Sequence, residues 1–160
     1  MRMRLAAVLC LVALTASPSS RMSLPIHTGA PTTMHAKGTF DVKLTPQTDN
    51  LDPTLGRTII EKQLHGDLEA ISKGQMLTVG TEVKGSGVYL AVERVTGKLN
   101  GRSGSFALHH TGIMVQGAPH LEIKIVPDSG TGELVDISGT FNLTITDGKH
   151  LYDLEYSLPQ

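Results

Sequence analysis

From Ala36 to the C-terminus, apolar and polar residues alternate at every second position, in short runs broken by turn dipeptides. A period of two is the signature of a half-buried strand, and no stretch carries the 3.6-residue repeat of an amphipathic helix. The runs are 36–45, 57–71, 75–83, 87–99, 102–114, 120–126, 135–146 and 149–158. These make about eight strands with mostly short connections, a number that closes an antiparallel sheet into an up-and-down barrel. The expected fold is therefore all-β, an eight-stranded antiparallel β-barrel. With 17 glycines, 8 prolines and no tryptophan, the composition agrees. A chain of 160 residues suits one such core and is short for two domains.

Two turn dipeptides set register and face. Asn100-Gly101 reads as a type I′ turn, which pairs Leu99 with Arg102, Val95 with Phe106, Glu93 with Leu108 and Ala91 with His110. Tyr89, Glu93, Arg102, Phe106, Leu108 and His110 then share one face. Asp147-Gly148 pairs Ile145 with His150, Leu143 with Tyr152 and Phe141 with Leu154, again with one apolar face. Lys73-Gly74 is read as a third turn, pairing Ala70 with Leu77, Leu68 with Val79 and Leu64 with Val83. His65, Asp67, Glu69 and Glu82 take the wet side. Lys62 has the parity of Ile60 and Leu64, which turns it inward.

The inner surface is thus apolar with a few ionisable groups. Inside a barrel, Glu93 and His110 would shift each other's proton affinity, which general acid–base catalysis exploits; they are the candidate catalytic pair. Tyr89, Arg102, Phe106, Leu108, His150 and Tyr152 are the candidate ligand-binding residues, Arg102 as a gate or counter-ion. The competing reading is a satisfied buried pair that fixes strand register, with Tyr152 and Tyr156 filling the core.

Other motifs point elsewhere or nowhere. "DSGTG", Asp128 to Gly132, matches half of an aspartic-protease dyad, but a single copy reads better as an Asx turn. Adjacent His109 and His110 face opposite sides of a strand, and no spaced His or Cys pair joins them, so no metal site and no cofactor is expected. A net charge of -1 with 14 Lys+Arg against 15 Asp+Glu, and no basic run, argues against nucleic acid. "MRMRLAAVLCLVALTAS" has the basic and apolar regions of a secretory signal peptide over residues 1–19, too short for a membrane span. Residues 20–33 read as a Pro/Ser/Thr-rich flexible linker, leaving 34–160 as the barrel domain. The leader implies secretion or a periplasmic location; a true start at Met22 or Met34 would instead place the protein in the cytoplasm.

Taken together, "KGTFDVKLTPQ", "LHGDLEAISKGQML", "YLAVERVTGKLNGRSGSFALHHTG", "IVPDSGTGELVDISGTF" and "DGKHLYDLEYSLP" resemble the bacterial family known as domain of unknown function 3224, across residues 36 to 159. The leader departs from the family's usual start, as do His109, Asp136 and Val88 from its usual Gln, Gly and small residue. The resemblance implies one antiparallel barrel, similar to that of allene oxide cyclases, and carries no established activity. The cyclase likeness suggests an apolar cavity that holds a flexible hydrophobic substrate in a productive shape. Two functions follow. One is a barrel binding a small hydrophobic molecule, in one form a cofactor-free isomerase or cyclase. The other is a non-enzymatic, exported binding or structural barrel whose partner surface lies near His65, Asp67 and Glu69. A homodimer fits either, and the sequence presents no exposed apolar stripe that demands one.

Overall fold

The computed structural model describes residues 32–48 and 52–159. The expected leader, with Cys10, and residues 20–31 of the expected linker, with Met22, lie outside the described residues. The elements are β1 (Met34–Gln47), β2 (Leu55–Gly66), β3 (Leu68–Gly80), β4 (Gly87–Leu99), β5 (Arg102–Val115), β6 (Ala118–Ile125), β7 (Thr131–Gly132), β8 (Ser138–Thr146) and β9 (Lys149–Ser157). Eight long strands pair antiparallel in the order β4-β3-β2-β1-β9-β8-β6-β5, and β4 pairs with β5, so the sheet closes on itself. The two-residue β7 lies against β5 alone. No helix among the described residues is long and apolar enough to cross a membrane.

Closure is uneven. The β3–β4 ladder runs from Leu68↔Leu99 to Gly80↔Gly87, whereas β6 meets β8 only at Lys124↔Thr140. Chain direction then defines two ends. At one end lie the β2–β3 and β4–β5 turns, the segment 126–137 and the C-terminus. This end is filled: Leu68, Leu99, Phe106, Leu134, Ile137, Leu154, Tyr156 and Leu158 are all buried in the core cluster. Leu134 and Ile137 come from the segment after β6, which folds beneath the barrel. Within it "DSGTG" starts in a turn at Asp128 and runs into β7. Asp128 is exposed with φ 58°, and Ser129 Oγ donates to Val126 O at 2.6 Å while accepting from Ala107 N at 3.0 Å. The opposite end, where β3 meets β4 and β5 meets β6, is the open mouth.

The β4–β5 and β8–β9 hairpins have the register their turns dictate. Asn100 and Gly101, then Asp147 and Gly148, all have positive φ, the type I′ geometry that matches strand twist. The Lys73-Gly74 turn is corrected. Both residues lie inside β3, and the chain reverses at Gly66-Asp67 instead, pairing Leu64 with Ala70. Gly66 has φ 107°, a value L side chains rarely adopt, and Asp67 fastens the corner: its N–H donates to Lys37 O and its carboxylate accepts from Lys37 N at 2.8 Å. Gly74 sits inside β3 as a position with no room for a side chain: a Cβ there would lie 2.2 Å from Val92 O and 2.7 Å from Glu93 Cγ.

The move of that corner overturns the inward placement of Leu77, Val79 and Val83: Val79 shares the outward parity of Leu77, and Val83 lies beyond β3, 52% exposed. Leu77, expected inward opposite Ala70, is 57% exposed on the outer face, opposite Leu90 at 54%. With Val92 they form an exposed apolar stripe on the outside of β3 and β4, where the sequence suggested none.

Candidate functional site

Four consecutive strands of the barrel wall, β2 to β5, deliver a buried ionic cluster. Glu93 lies in β4, between the inward-facing Ala91 and Val95, and is 2% exposed. Across one ladder sits Gly74, whose missing side chain leaves room for the glutamate. Lys62, on β2, pairs with Ser72 on β3 and reaches across to Glu93. Its Nζ donates to Glu93 Oε1 at 2.6 Å and sits 5.0 Å from the centre of the Phe40 ring, a cation–π arrangement. Ser72 Oγ donates to the other carboxylate oxygen. His110, on β5 opposite Ala91, brings Nε2 within 2.8 Å of Glu93 Oε1. That oxygen lies off the line of a hydrogen bond, so Nε2 is buried beside the carboxylate without an aligned partner.

The electrostatics follow from this crowd. Burial pushes the Glu93 carboxyl up, because desolvation penalises its charge, but His110, Lys62 and Ser72 together outweigh burial and hold it down, from an ordinary 4.5 to about 2. Glu93 is therefore a carboxylate at neutral pH. A base so weak abstracts protons poorly near neutrality. Its stronger role is to hold Lys62 and His110 in place.

Above the cluster, toward the mouth, a cavity of about 420 Å³ opens between β3, β4, β5 and β6. Tyr89, Thr78, Gly112, Met114, Leu121 and Gly80 line its inner rows. Gly112 permits Tyr89 to lie flat against β5, since a Cβ there would meet Tyr89 Cε1 at 2.0 Å. Gly80 faces empty space, with nothing within 4 Å of where its Cβ would be. Tyr89 links cavity and cluster: burial and the nearby Glu93 charge both raise its phenol above its ordinary value.

The structure thus brings together Glu93, His110 and Tyr89, and adds Lys62 and Ser72. It separates the rest. Arg102 is exposed at the β4–β5 turn, so the counter-ion of Glu93 is Lys62 and not Arg102; the hairpin register runs from Glu93↔Leu108 to Leu99↔Arg102 and carries the arginine to the filled end. Phe106 and Leu108, 1% and 2% exposed, pack in the filled core. Tyr152 is committed to the β2–β3 corner, where its hydroxyl accepts from Leu68 N at 3.0 Å and donates to His65 O at 3.1 Å. His150 stacks on Phe40 at 4.9 Å, on β9. His65, Asp67 and Glu69 are exposed, and Asp67 and Glu69 spend carboxylate oxygens on the backbone of Lys37 and Gly66.

Sequence reasoning missed Ser72. Its signal was there: Leu68, Ala70 and Ser72 share one parity, but a turn placed at Lys73-Gly74 left the serine at a strand end. The same misplaced turn hid Thr78 from the cavity wall.

A closed antiparallel barrel, filled at one end and open over a buried carboxylate–ammonium–imidazole cluster at the other, is the class these features define. The chain belongs to the family described as "Protein of unknown function (DUF3224)", which matches residues 36–156. It is similar to a crystal structure of a DUF3224-family protein with unknown function from Shewanella oneidensis MR-1. The two share 43% identity with a TM-score of 0.76, over 81% of this chain and 100% of that one. No curated protein matches the chain.

Proposed function

We propose that this barrel binds a small, mainly apolar molecule in its open mouth. The observation that carries the reading is the cavity of about 420 Å³ lined by Tyr89, Thr78, Met114 and Leu121, whose size falls within the range of small-molecule pockets. Its walls are largely apolar, and Gly80, with nothing within 4 Å of where its Cβ would be, leaves space in it. A filled opposite end makes the mouth the way in.

The test uses 2-acetylnaphthalene as an apolar probe, followed by calorimetry. Wild-type protein should bind it at one site. Gly80→Phe, which projects a ring into that open space without a backbone clash, should abolish binding and leave the melting temperature near wild type. Equal binding by Gly80→Phe would sink the reading.

A second reading, a cofactor-free isomerase or cyclase, is favoured by the unaligned Nε2 of His110 beside Glu93. In it the Nε2–H of His110 protonates the carbonyl oxygen of a bound ketone while water from the open mouth takes a proton from its α-carbon, and Glu93 and Lys62 position the imidazole, since a carboxyl held down to about 2 is too weak a base. Deuterium uptake at the methyl group of bound 2-acetylnaphthalene, lost in His110→Phe, is the expected sign; uptake no faster than in buffer contradicts it.

A further inference from the structure

The hydrogen-bond inventory of the cluster is unbalanced. An ammonium has three N–H donors, and Lys62 uses one of them, on Glu93 Oε1. His110 Nε2 faces a carboxylate oxygen at 2.8 Å, where a lone pair would be repelled, so this nitrogen carries its proton, yet it lacks an aligned acceptor. The carboxylate has already received Lys62 on one oxygen and Ser72 on the other. What is left over is a matter of alignment: the His110 Nε2 proton and two N–H groups of Lys62 meet no aligned acceptor among the described residues, and unmet buried donors are costly.

The way from the cavity to these donors is lined by small or flexible groups. On β5 the inward residue next to His110 is Gly112, a wall of the cavity; on β4 only Ala91 separates Tyr89 from Glu93. On β3 the corresponding step is Met76, which is half-buried.

We infer that the molecule taken up in the mouth carries a hydrogen-bond-accepting oxygen, a carbonyl or carboxylate, which Lys62 Nζ and His110 Nε2 receive at the cavity floor. This rests on the mouth-binding reading above. The ammonium of Lys62 also disfavours an amine, whose positive charge it would repel.

Three probes with one naphthyl body separate the outcomes. They are 2-acetylnaphthalene, its oxygen-free isostere 2-isopropenylnaphthalene, and the cationic 1-(2-naphthyl)ethylamine. Wild type should bind the ketone about tenfold more tightly than the hydrocarbon, the worth of one charge-assisted hydrogen bond, and the amine most weakly. In Lys62→Met/Glu93→Gln, which removes both charges together, the ketone's advantage should fall below about twofold, with folding checked by circular dichroism. The carbonyl stretch of the bound ketone on wild type should move to lower frequency than in hexane, a readout that needs no variant. Equal affinity for ketone and hydrocarbon, or an unshifted carbonyl, overturns the inference and leaves the cavity reading standing. Failure of every probe to bind overturns both.

Discussion

Glu93 keeps its charge inside an apolar barrel because neighbouring strands send donors to it: Lys62 from β2, Ser72 from β3 and His110 from β5. Breaking such a pair leaves a buried charge uncompensated, which costs about 3 kcal/mol or more, whereas removing both charges is close to neutral. Glu93→Gln should therefore lower unfolding free energy by about that amount in urea titrations, and Lys62→Met/Glu93→Gln should recover most of it. A single variant as stable as wild type would mean that Lys62 and Glu93 do not form a buried pair. The pH dependence has a definite sign. Because the folded-state value of Glu93 lies below its ordinary one, its contribution is complete above about pH 4.5 and is lost as the pH falls toward about 2. The shift corresponds to about 3 kcal/mol. Wild type should lose that much more stability than the double variant between pH 6 and pH 2.5, measured by urea unfolding; parallel curves would contradict it. That Glu93 and His110 meet was legible from alternation and one Asn-Gly turn. That Lys62, and not Arg102, answers the charge was not, because reach across the barrel depends on side-chain length and strand stagger, and neither appears in a pairing count.

At the scale of elements, the type I′ turns at Asn100-Gly101 and Asp147-Gly148 were readable because both residues of each dipeptide tolerate positive φ. Lys73-Gly74 looked equally like a turn. The difference lies in what each glycine faces: Gly74 faces Glu93, while Gly66 turns a corner beside Gly38 and the Lys37 carbonyl. Sequence spacing alone holds no record of that neighbour. The consequence is a measurable contrast between two glycines of positive φ. Gly66→Ala, whose Cβ would lie 2.6 Å from Lys37 O, should cost about 3 kcal/mol by thermal or urea unfolding, at the upper end for a strained backbone. Gly148→Ala meets nothing within 4 Å and should cost about 1 kcal/mol. Equal losses would mean that the β2–β3 corner is not where the structure puts it.

At the scale of the whole molecule, the barrel divides into a packed half and an open half. Leu134 and Ile137 seal one end, and the glycine-lined cavity beside Tyr89 opens the other, with the ionic cluster between. Alternation disclosed which residues point inward but not which inward rows are filled, since that depends on side chains arriving from the segment after β6. The molecule also has an apolar stripe outside, at Leu77, Leu90 and Val92, which offers a hydrophobic probe a second place to go. The decisive measurement is therefore a map of amide chemical shifts on titration with 2-acetylnaphthalene. Binding in the mouth should give saturable changes concentrated at Thr78–Gly80, Val88–Tyr89, Gly112–Met114 and Leu121. Changes centred instead on Leu77, Leu90 and Val92, or none at all, would contradict a binding site inside the mouth.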